Sequence, residues 1–314
     1  MDEAKSRRRG ETPSVLVVGS LALDDIETPF GAVSEAVGGA AYYAATAASL
    51  YAPVRVVAAV GTDFPKKHLD DLAGRGIDLE GVEIKEGLTF RWSGRYDNDM
   101  SRAQTLRTEV NVFADFRPKI PDSYRDSQYV FLANIDPELQ LTVLEQLDGP
   151  KLVAADTMNF WISNKRDAVV EVLKRVDVSL LNDAELRQLC GIPGLVSAAK
   201  CVLDMGPKVA IIKKGEHGAV MFTRSSHFSA PSYPLEEVRD PTGAGDSFAG
   251  ALMGYLASQD DVSETALRRA IVHGSVVASF AVADFGASRL ERLRREEIAS
   301  RYGKMKEIVS FEPE

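Results

Sequence analysis

Asp240-Pro241-Thr242-Gly243-Ala244-Gly245-Asp246-Ser247-Phe248-Ala249-Gly250 is the stretch on which the reading of this chain turns. Glycines at 243 and 245 permit backbone conformations closed to other residues and let a ligand approach the amides. Downstream, Phe248, Leu252, Tyr255 and Leu256 share one helical face, so the loop opens a helix. Free first-turn N–H groups and the positive end of the helix dipole then face an anion. A carboxylate at such a place repels phosphate, and a base positioned for an incoming hydroxyl explains it. Phosphoryl transfer needs the nucleophile aligned, its proton accepted and charge on the transferring group stabilised. Asp246 supplies the first two, and the amides around Gly243, Ala244 and Gly245 the third. The plainer alternative is an N-cap aspartate after a tight turn.

Outward from that loop, the 314 residues carry short, nearly continuous apolar runs at Val15 to Val18, Val54 to Val60, Tyr129 to Ala133, Leu152 to Ala154, Val178 to Leu181 and Val209 to Ile212. Such runs suit strands buried on both faces of a mostly parallel sheet. Amphipathic stretches alternate with them: Gly39 to Leu50, Pro137 to Leu147, Lys165 to Val176 and Val196 to Met205. Three more follow in the C-terminal third, at Asp246 to Ser258, Glu264 to Ala283 and Arg294 to Ile308. The expectation is α/β: three layers, with helices on both faces of the central sheet. Leu88 to Tyr96 and Thr105 to Phe113 break the rhythm as an antiparallel hairpin around Asn98-Asp99-Met100-Ser101. With Ile26 to Val37 they predict a small β-sheet lid, unless they form an ordinary edge hairpin. The organisation expected is a flexible N-terminus over 1–12 and one kinase-sized domain over 13–314, with lid segments at about 26–37 and 86–114 inserted.

Composition narrows the partners. Thirty-seven Lys and Arg against 46 Asp and Glu give a formal net charge of -9, which argues against nucleic acid or anionic lipid as a partner. Two cysteines, Cys190 and Cys201, are too few for a disulfide framework and fit a reducing compartment. Arg7-Arg8-Arg9 before Val15 to Leu23 looks superficially like a signal peptide, but the run is short, β-branched and ends in Asp24-Asp25. No apolar segment has the length of a membrane span. A cytoplasmic protein is expected.

Asp240 to Asp246 resembles the anion-hole signature of the ribokinase-like PfkB sugar and nucleoside kinases, and further motifs follow in that family's order over nearly the whole chain. The resemblance implies that Asp246 is the base and that Gly243, Ala244 and Gly245 form the oxyanion hole. Asn182-Asp183-Ala184-Glu185 is similar to the family's Asn-x-x-Glu motif, so Asn182 and Glu185 are expected to organise Mg2+, through water, and the ATP phosphates. Read alone, the same residues are a helix start. Lys213-Lys214-Gly215-Glu216-His217-Gly218 resembles a Gly-x-x-Gly nucleotide turn; it implies ATP contacts at Gly215 and Gly218 and at Lys213, where the family often has a hydroxyl residue. Gly274 to Gly286 resembles the adenine pocket, which nominates Gly274. Gly38-Gly39 and Asp24 resemble the acceptor side, where a carboxylate accepts sugar hydroxyls; an exposed turn acid is the alternative for Asp24. Tyr42-Tyr43 stands where ribokinase-type sequences carry an Asn. Gly61-Thr62-Asp63 is read as a structural turn. Some relatives bind a monovalent cation near the equivalents of Asp240 and the Gly286-Ala287 loop.

No Gly-x-x-x-x-Gly-Lys-Ser/Thr string occurs and the glycines at 243–250 lack Rossmann spacing. The chain therefore reads as an ATP-dependent kinase acting on a hydroxyl of a sugar, sugar acid or polyol. A nucleoside is the alternative acceptor, and a catalytically silent ligand-sensing or partner-binding relative is the alternative from another class. On the lid, Phe90, Trp92 and Tyr96 share one side of a strand and Arg91, Ser93 and Arg95 the other. The polar side is expected to cover the acceptor, with Arg91 and Arg95 binding its oxygens, because Asp24 independently suggests hydroxyl recognition. The aromatic side in that place would favour a nucleoside base. A homodimer through the lid is left open.

Overall fold

Apolar runs that lack polar alternation become strands here, each buried on both faces. The computed structural model describes residues 12–100 and 102–310; most of the expected N-terminal segment 1–12 lies outside the described residues. The strands are β1 (Val15–Val18), β2 (Ala22–Thr28), β3 (Gly31–Gly38), β4 (Val54–Gly61), β5 (Ile77–Lys85), β6 (Phe90–Tyr96), β7 (Ala103–Glu109), β8 (Tyr129–Leu132), β9 (Leu152–Asp156), β10 (Val178–Asn182), β11 (Val209–Lys213), β12 (Ala219–Phe222) and β13 (His227–Ala230). Nine form one sheet in the order β13-β12-β11-β10-β9-β8-β1-β4-β5. All its pairings are parallel except β11 with β12 and β12 with β13.

The period-2 geometry of a strand divides each run between two cores. Val15, Val17, Tyr129, Phe131, Leu180 and Ile211 face the helices Ala40–Ser49, Ala244–Gln259, Glu264–Ala281 and Arg295–Val309. Leu16, Val18, Val130, Leu132, Leu181 and Ile212 face Pro137–Leu144, Arg166–Leu173, Asp183–Cys190 and Leu195–Met205. Each fully buried Val or Leu side chain contributes about 1.5–3 kcal/mol of transfer free energy. No single helix among the described residues is long and apolar enough to cross a membrane.

Two central helices meet backbone to backbone. A Cβ on Gly250 would lie 2.1 Å from the Ala44 carbonyl oxygen, and one on Gly254 2.7 Å from that of Ala48. The alanine-rich composition of Ala40–Ser49 is thus a packing requirement, and it draws Gly38-Gly39 toward the loop at Gly243.

Four strands form the second sheet, in the order β3-β2-β6-β7. β2 runs antiparallel to β3 and parallel to β6, and β6 runs antiparallel to β7. The first lid segment begins at Ala22 rather than Ile26, which places Asp24 on a strand. The hairpin's second arm ends at Glu109 rather than Phe113: Asn111 takes φ 48°, a left-handed conformation that Asn tolerates, and a 3-10 turn over Asn111–Asp115 follows. β5 and β13 have no apolar run to announce them, and the four-residue run of β12, Ala219–Phe222, is not among the expected strands. β5 is an edge strand in which Asp78, Glu80 and Glu83 interrupt the apolar positions.

Candidate active site

Gly243 caps the helix Ala244–Gln259 with φ 72°, and a Cβ there would meet the Tyr43 ring at 2.4 Å. Only glycine satisfies both the left-handed backbone and that contact. Asp240 braces the loop: its carboxylate accepts from the Thr242 amide at 2.8 Å and from the Gly286 amide at 2.8 Å. The Ala244 amide donates to the Pro241 carbonyl at 3.2 Å, and the Gly243 and Gly245 amides stand at the positive end of a 16-residue helix.

Asp246 stands in that first turn, partly open to solvent. Burial of most of its carboxyl, and then the charge of Asp156, push it up to about 6, while the Lys213 ammonium holds it back. Lys213 ends β11 and Asp156 ends β9, both on the sheet edge where Asn182 ends β10. Lys213 Nζ donates to Asp156 Oδ2 at 2.5 Å, with the two side chains 17% and 5% exposed. Burial pulls the ammonium down, but the carboxylates of Asp156, Glu185 and Asp246 outweigh it and leave its pKa raised. Lys213 is therefore charged.

Asn182 and Glu185 form a capping box. Asn182 Oδ1 accepts from the Glu185 amide at 2.8 Å, and Glu185 Oε2 accepts from the Asn182 amide at 2.7 Å. The helix-start reading of these residues is real, and it leaves one Glu185 oxygen for other work. Burial and the Asp156 charge push Glu185 upward, against Lys213 and its own hydrogen bond.

On the other side of Asp246, Asp24 is buried rather than an exposed turn acid. Its Oδ2 occupies the space 1.9 Å from where a Gly38 Cβ would start, and the Gly39 amide bonds its carboxylate. The double glycine admits this carboxylate against the backbone. Burial, then the charge of Asp240, push Asp24 up to about 8, with Asp246 and Asp25 adding to it. The Tyr96 hydroxyl accepts from Thr242 Oγ1 at 3.2 Å and feels Asp240, Asp24 and Asp246. The Tyr43 hydroxyl is buried without a hydrogen-bond partner and feels the same carboxylates.

Trp92 pairs with Asp24 in the parallel register of β2 and β6, so both side chains project from one face. The Trp92 ring lies across Gly94, and its Nε1 donates to Thr105 Oγ1 at 3.2 Å. Arg91 and Arg95, expected to bind the acceptor, lie on the opposite face. Arg91 is held by Glu35 at 2.6 Å and Asp63 at 2.9 Å, and Arg95 by Glu27 at 2.9 Å. Strand alternation forces this once Tyr96 is docked on Thr242.

Gly215 and Gly218 shape the turn between β11 and β12, with φ 56° and 84°, and His217 is exposed. Gly274 is buried against Phe248, where a Cβ would meet the ring at 2.8 Å; its place is in helix packing. Sequence reasoning missed Asp156, Tyr43 and Tyr96 as site residues. Asp156 carried a signal, since a charged residue closing an apolar parallel strand marks the edge where ligands bind in open α/β sheets.

Residues 13–292 match the family model described as pfkB family carbohydrate kinase. A cytidine kinase of Thermococcus kodakarensis is 34% identical over 249 residues, covering 77% of this chain and 87% of that one. A nucleoside kinase of Methanothermobacter thermautotrophicus is 26% identical over 292 residues, 88% of this chain and 91% of that one. The solved structure of a putative ribokinase II from E. coli in complex with ATP and Mg2+ superposes with a TM-score of 0.76 at 19% identity, covering 93% of this chain and 99% of that chain. This chain therefore belongs to the PfkB family of carbohydrate kinases and is a phosphotransferase with an alcohol group as acceptor.

Proposed function

We propose that this kinase transfers the γ-phosphoryl group of ATP to a hydroxyl of a nucleoside, with Asp246 as the base. The observation that carries the choice of acceptor is the lid: Trp92 and Tyr96 share the face of Asp24, above the Gly243 loop. An aromatic face there offers stacking to a base, worth about 1–3 kcal/mol when a base is sandwiched in a protein site. Asp24 with Gly38 and Gly39 takes the sugar hydroxyls. The charged groups acting most strongly on Asp24, Tyr43 and Tyr96 are carboxylates, which disfavours a sugar acid as acceptor. The T. kodakarensis and M. thermautotrophicus relatives, named as cytidine and nucleoside kinases, support the same choice.

In this reading the acceptor hydroxyl sits against Asp246, which takes its proton as the oxygen bonds the phosphoryl group. The amides of Gly243 and Gly245 hold the transferring oxygens, the Ala244 amide expected beside them being bonded to the Pro241 carbonyl, and Gly215 and Gly218 let the nucleotide approach the backbone. The remaining Glu185 oxygen and the Asn182 side chain would hold Mg2+ through water, the small protein donor set that this ion accepts. Bound there, the ion neutralises charge on the phosphates. The four-stranded sheet acts as lid, and its outer face is where a homodimer would form, which light scattering tests. A monovalent cation beside Asp240 and the Gly286–Ala287 loop would offset buried charge, to be tested by potassium dependence. The protein is placed in the cytoplasm, where ATP is supplied.

The deciding experiment is ADP release with cytidine, adenosine, inosine, ribose, inositol and a sugar acid at equal concentration. One nucleoside should exceed every free sugar by about tenfold or more in kcat/KM, the scale of one lost stacking contact. A free sugar or polyol leading the panel would overturn the nucleoside reading. No ATP turnover with any acceptor in the panel would favour a catalytically silent relative.

A further inference from the structure

Lys213 sits among the carboxylates of Asp156, Glu185 and Asp246, yet its ammonium also meets the positive end of a helix. Its Nζ lies 3.0 Å from the point where a Gly245 side chain would begin, beneath the first turn of the helix Ala244–Gln259. The positive end of a helix dipole repels an ammonium. A buried ion pair also contributes little stability, because desolvation cancels most of its attraction. The pair is nonetheless fixed: Asp156 Oδ2 accepts a hydrogen bond from Lys213 Nζ at 2.5 Å and Oδ1 accepts from the Thr157 amide at 2.9 Å. One of three ammonium protons is thereby used, leaving two donors. Gly245 carries no side chain to screen them from the helix amides, so ammonium and amides converge on one small volume beside Asp246.

We infer that Lys213 is a catalytic residue whose ammonium binds the transferring phosphoryl group, and that Asp156 is the positioning residue that holds it there. The inference rests on the kinase reading above and adds a side-chain cation to its anion hole. The transition state for phosphoryl transfer is loose and spreads charge over the equatorial oxygens, where a fixed cation acts most strongly. An ammonium already tethered needs no reorganisation when the nucleotide arrives. Proton balance is unaffected, since the acceptor's proton goes to Asp246 and Lys213 stays charged throughout.

The test separates ATP from ADP. Calorimetric titration with Mg2+ present gives both dissociation constants for the parent, Lys213→Met and the double variant Lys213→Met/Asp156→Asn. The double variant removes the buried Asp156 charge together with its partner and guards against misfolding. Both should lose about tenfold more affinity for ATP than for ADP, and turnover should fall by about 100-fold or more with acceptor KM within about threefold. Asp156→Asn alone should keep part of the ATP preference and lower kcat by about tenfold, as expected of a group acting through another. A double variant that melts normally and keeps the parent's ATP-to-ADP ratio overturns the inference, as does a fall in melting temperature with that ratio unchanged. The titrations use no acceptor, so a wrong acceptor class does not alter them; a parent that binds neither nucleotide would overturn both readings.

Discussion

Replacing Asp24 by Asn should make the protein more stable and a poorer enzyme, and the stability gain should depend on pH in one direction. In the folded chain Asp24 is raised from 3.8 to about 8 by burial and by neighbouring carboxylates. Its charged form is thus disfavoured by folding. Its contribution to stability is intact below about pH 4 and is lost as pH rises through about 8, the reverse of an aspartate in a salt bridge. A shift of about four pH units caps the cost at about 5–6 kcal/mol, at about 1.4 kcal/mol per unit. Relaxation around the charge reduces that, and Asn forfeits part of the hydrogen bond from the Gly39 amide, worth about 1 kcal/mol. A net gain of about 1–3 kcal/mol at pH 9, shrinking toward zero at pH 5.5, is the expected outcome. Urea unfolding of parent and variant at pH 5.5, 7 and 9 measures it, because titrating groups not coupled to Asp24 cancel in the difference, leaving Asp24 and the carboxylates of Asp240, Asp246 and Asp25 that it faces. The same variant should raise acceptor KM by about tenfold or more, since an amide N–H stands where hydroxyl donors need an acceptor. A stability difference that does not grow with pH would refute the reasoning, and with it the buried, charge-crowded state of Asp24.

Asp246→Asn should keep the fold and ATP affinity while lowering turnover by about 100-fold or more, the scale of a lost positioned base. In the parent, whose Asp246 is raised to about 6, turnover should climb with pH through about 6 and level above it, in a pH–rate profile that the variant lacks. Trp92→Ala should raise acceptor KM about tenfold through lost stacking, whereas Arg91→Ala, which breaks the pairs with Glu35 and Asp63, should leave acceptor KM unchanged in steady-state assays.

The large sheet was legible because its strands are buried on both faces and so contain almost nothing polar: β1, β4, β8, β10 and β11 lie where apolar runs stand. β5 was illegible for the converse reason, since an edge strand with Asp78, Glu80 and Glu83 has no such signature. At the site, the glycines and Asp246 were readable from local chemistry, because backbone conformation and helix polarity act within a few residues. Which lid face turns inward was not readable. Alternation of Arg91, Ser93 and Arg95 against Trp92 and Tyr96 is visible in the chain, but the choice of side is made by Tyr96 reaching Thr242, 146 residues away. Asp156 escaped for a similar reason: a single acid at a strand end becomes part of a site only when Lys213 from another strand meets it.

The geometry couples the two halves of the cleft through one carboxyl. Asp246 raises Asp24 by charge on the acceptor side, and on the phosphoryl side it is raised by Asp156 and restrained by Lys213. With a value near 8, Asp24 is mostly neutral in the empty site at pH 7. If Asp24 takes the acceptor hydroxyls as proposed, their donors favour its ionised form, and seating the acceptor would drive a proton off Asp24. Repulsion between two carboxylates acts equally on both, so the new charge on Asp24 makes Asp246 a stronger base at the moment a hydroxyl lies against it. Without an acceptor, the neutral Asp24 leaves Asp246 weaker, and water in the acceptor site meets a poorer base. On the proposed roles of Asp24 and Asp246, charge crowding that costs stability in the empty protein would therefore discriminate against hydrolysis of ATP, and the Lys213 ammonium, which lowers Asp246, would help it act near neutral pH.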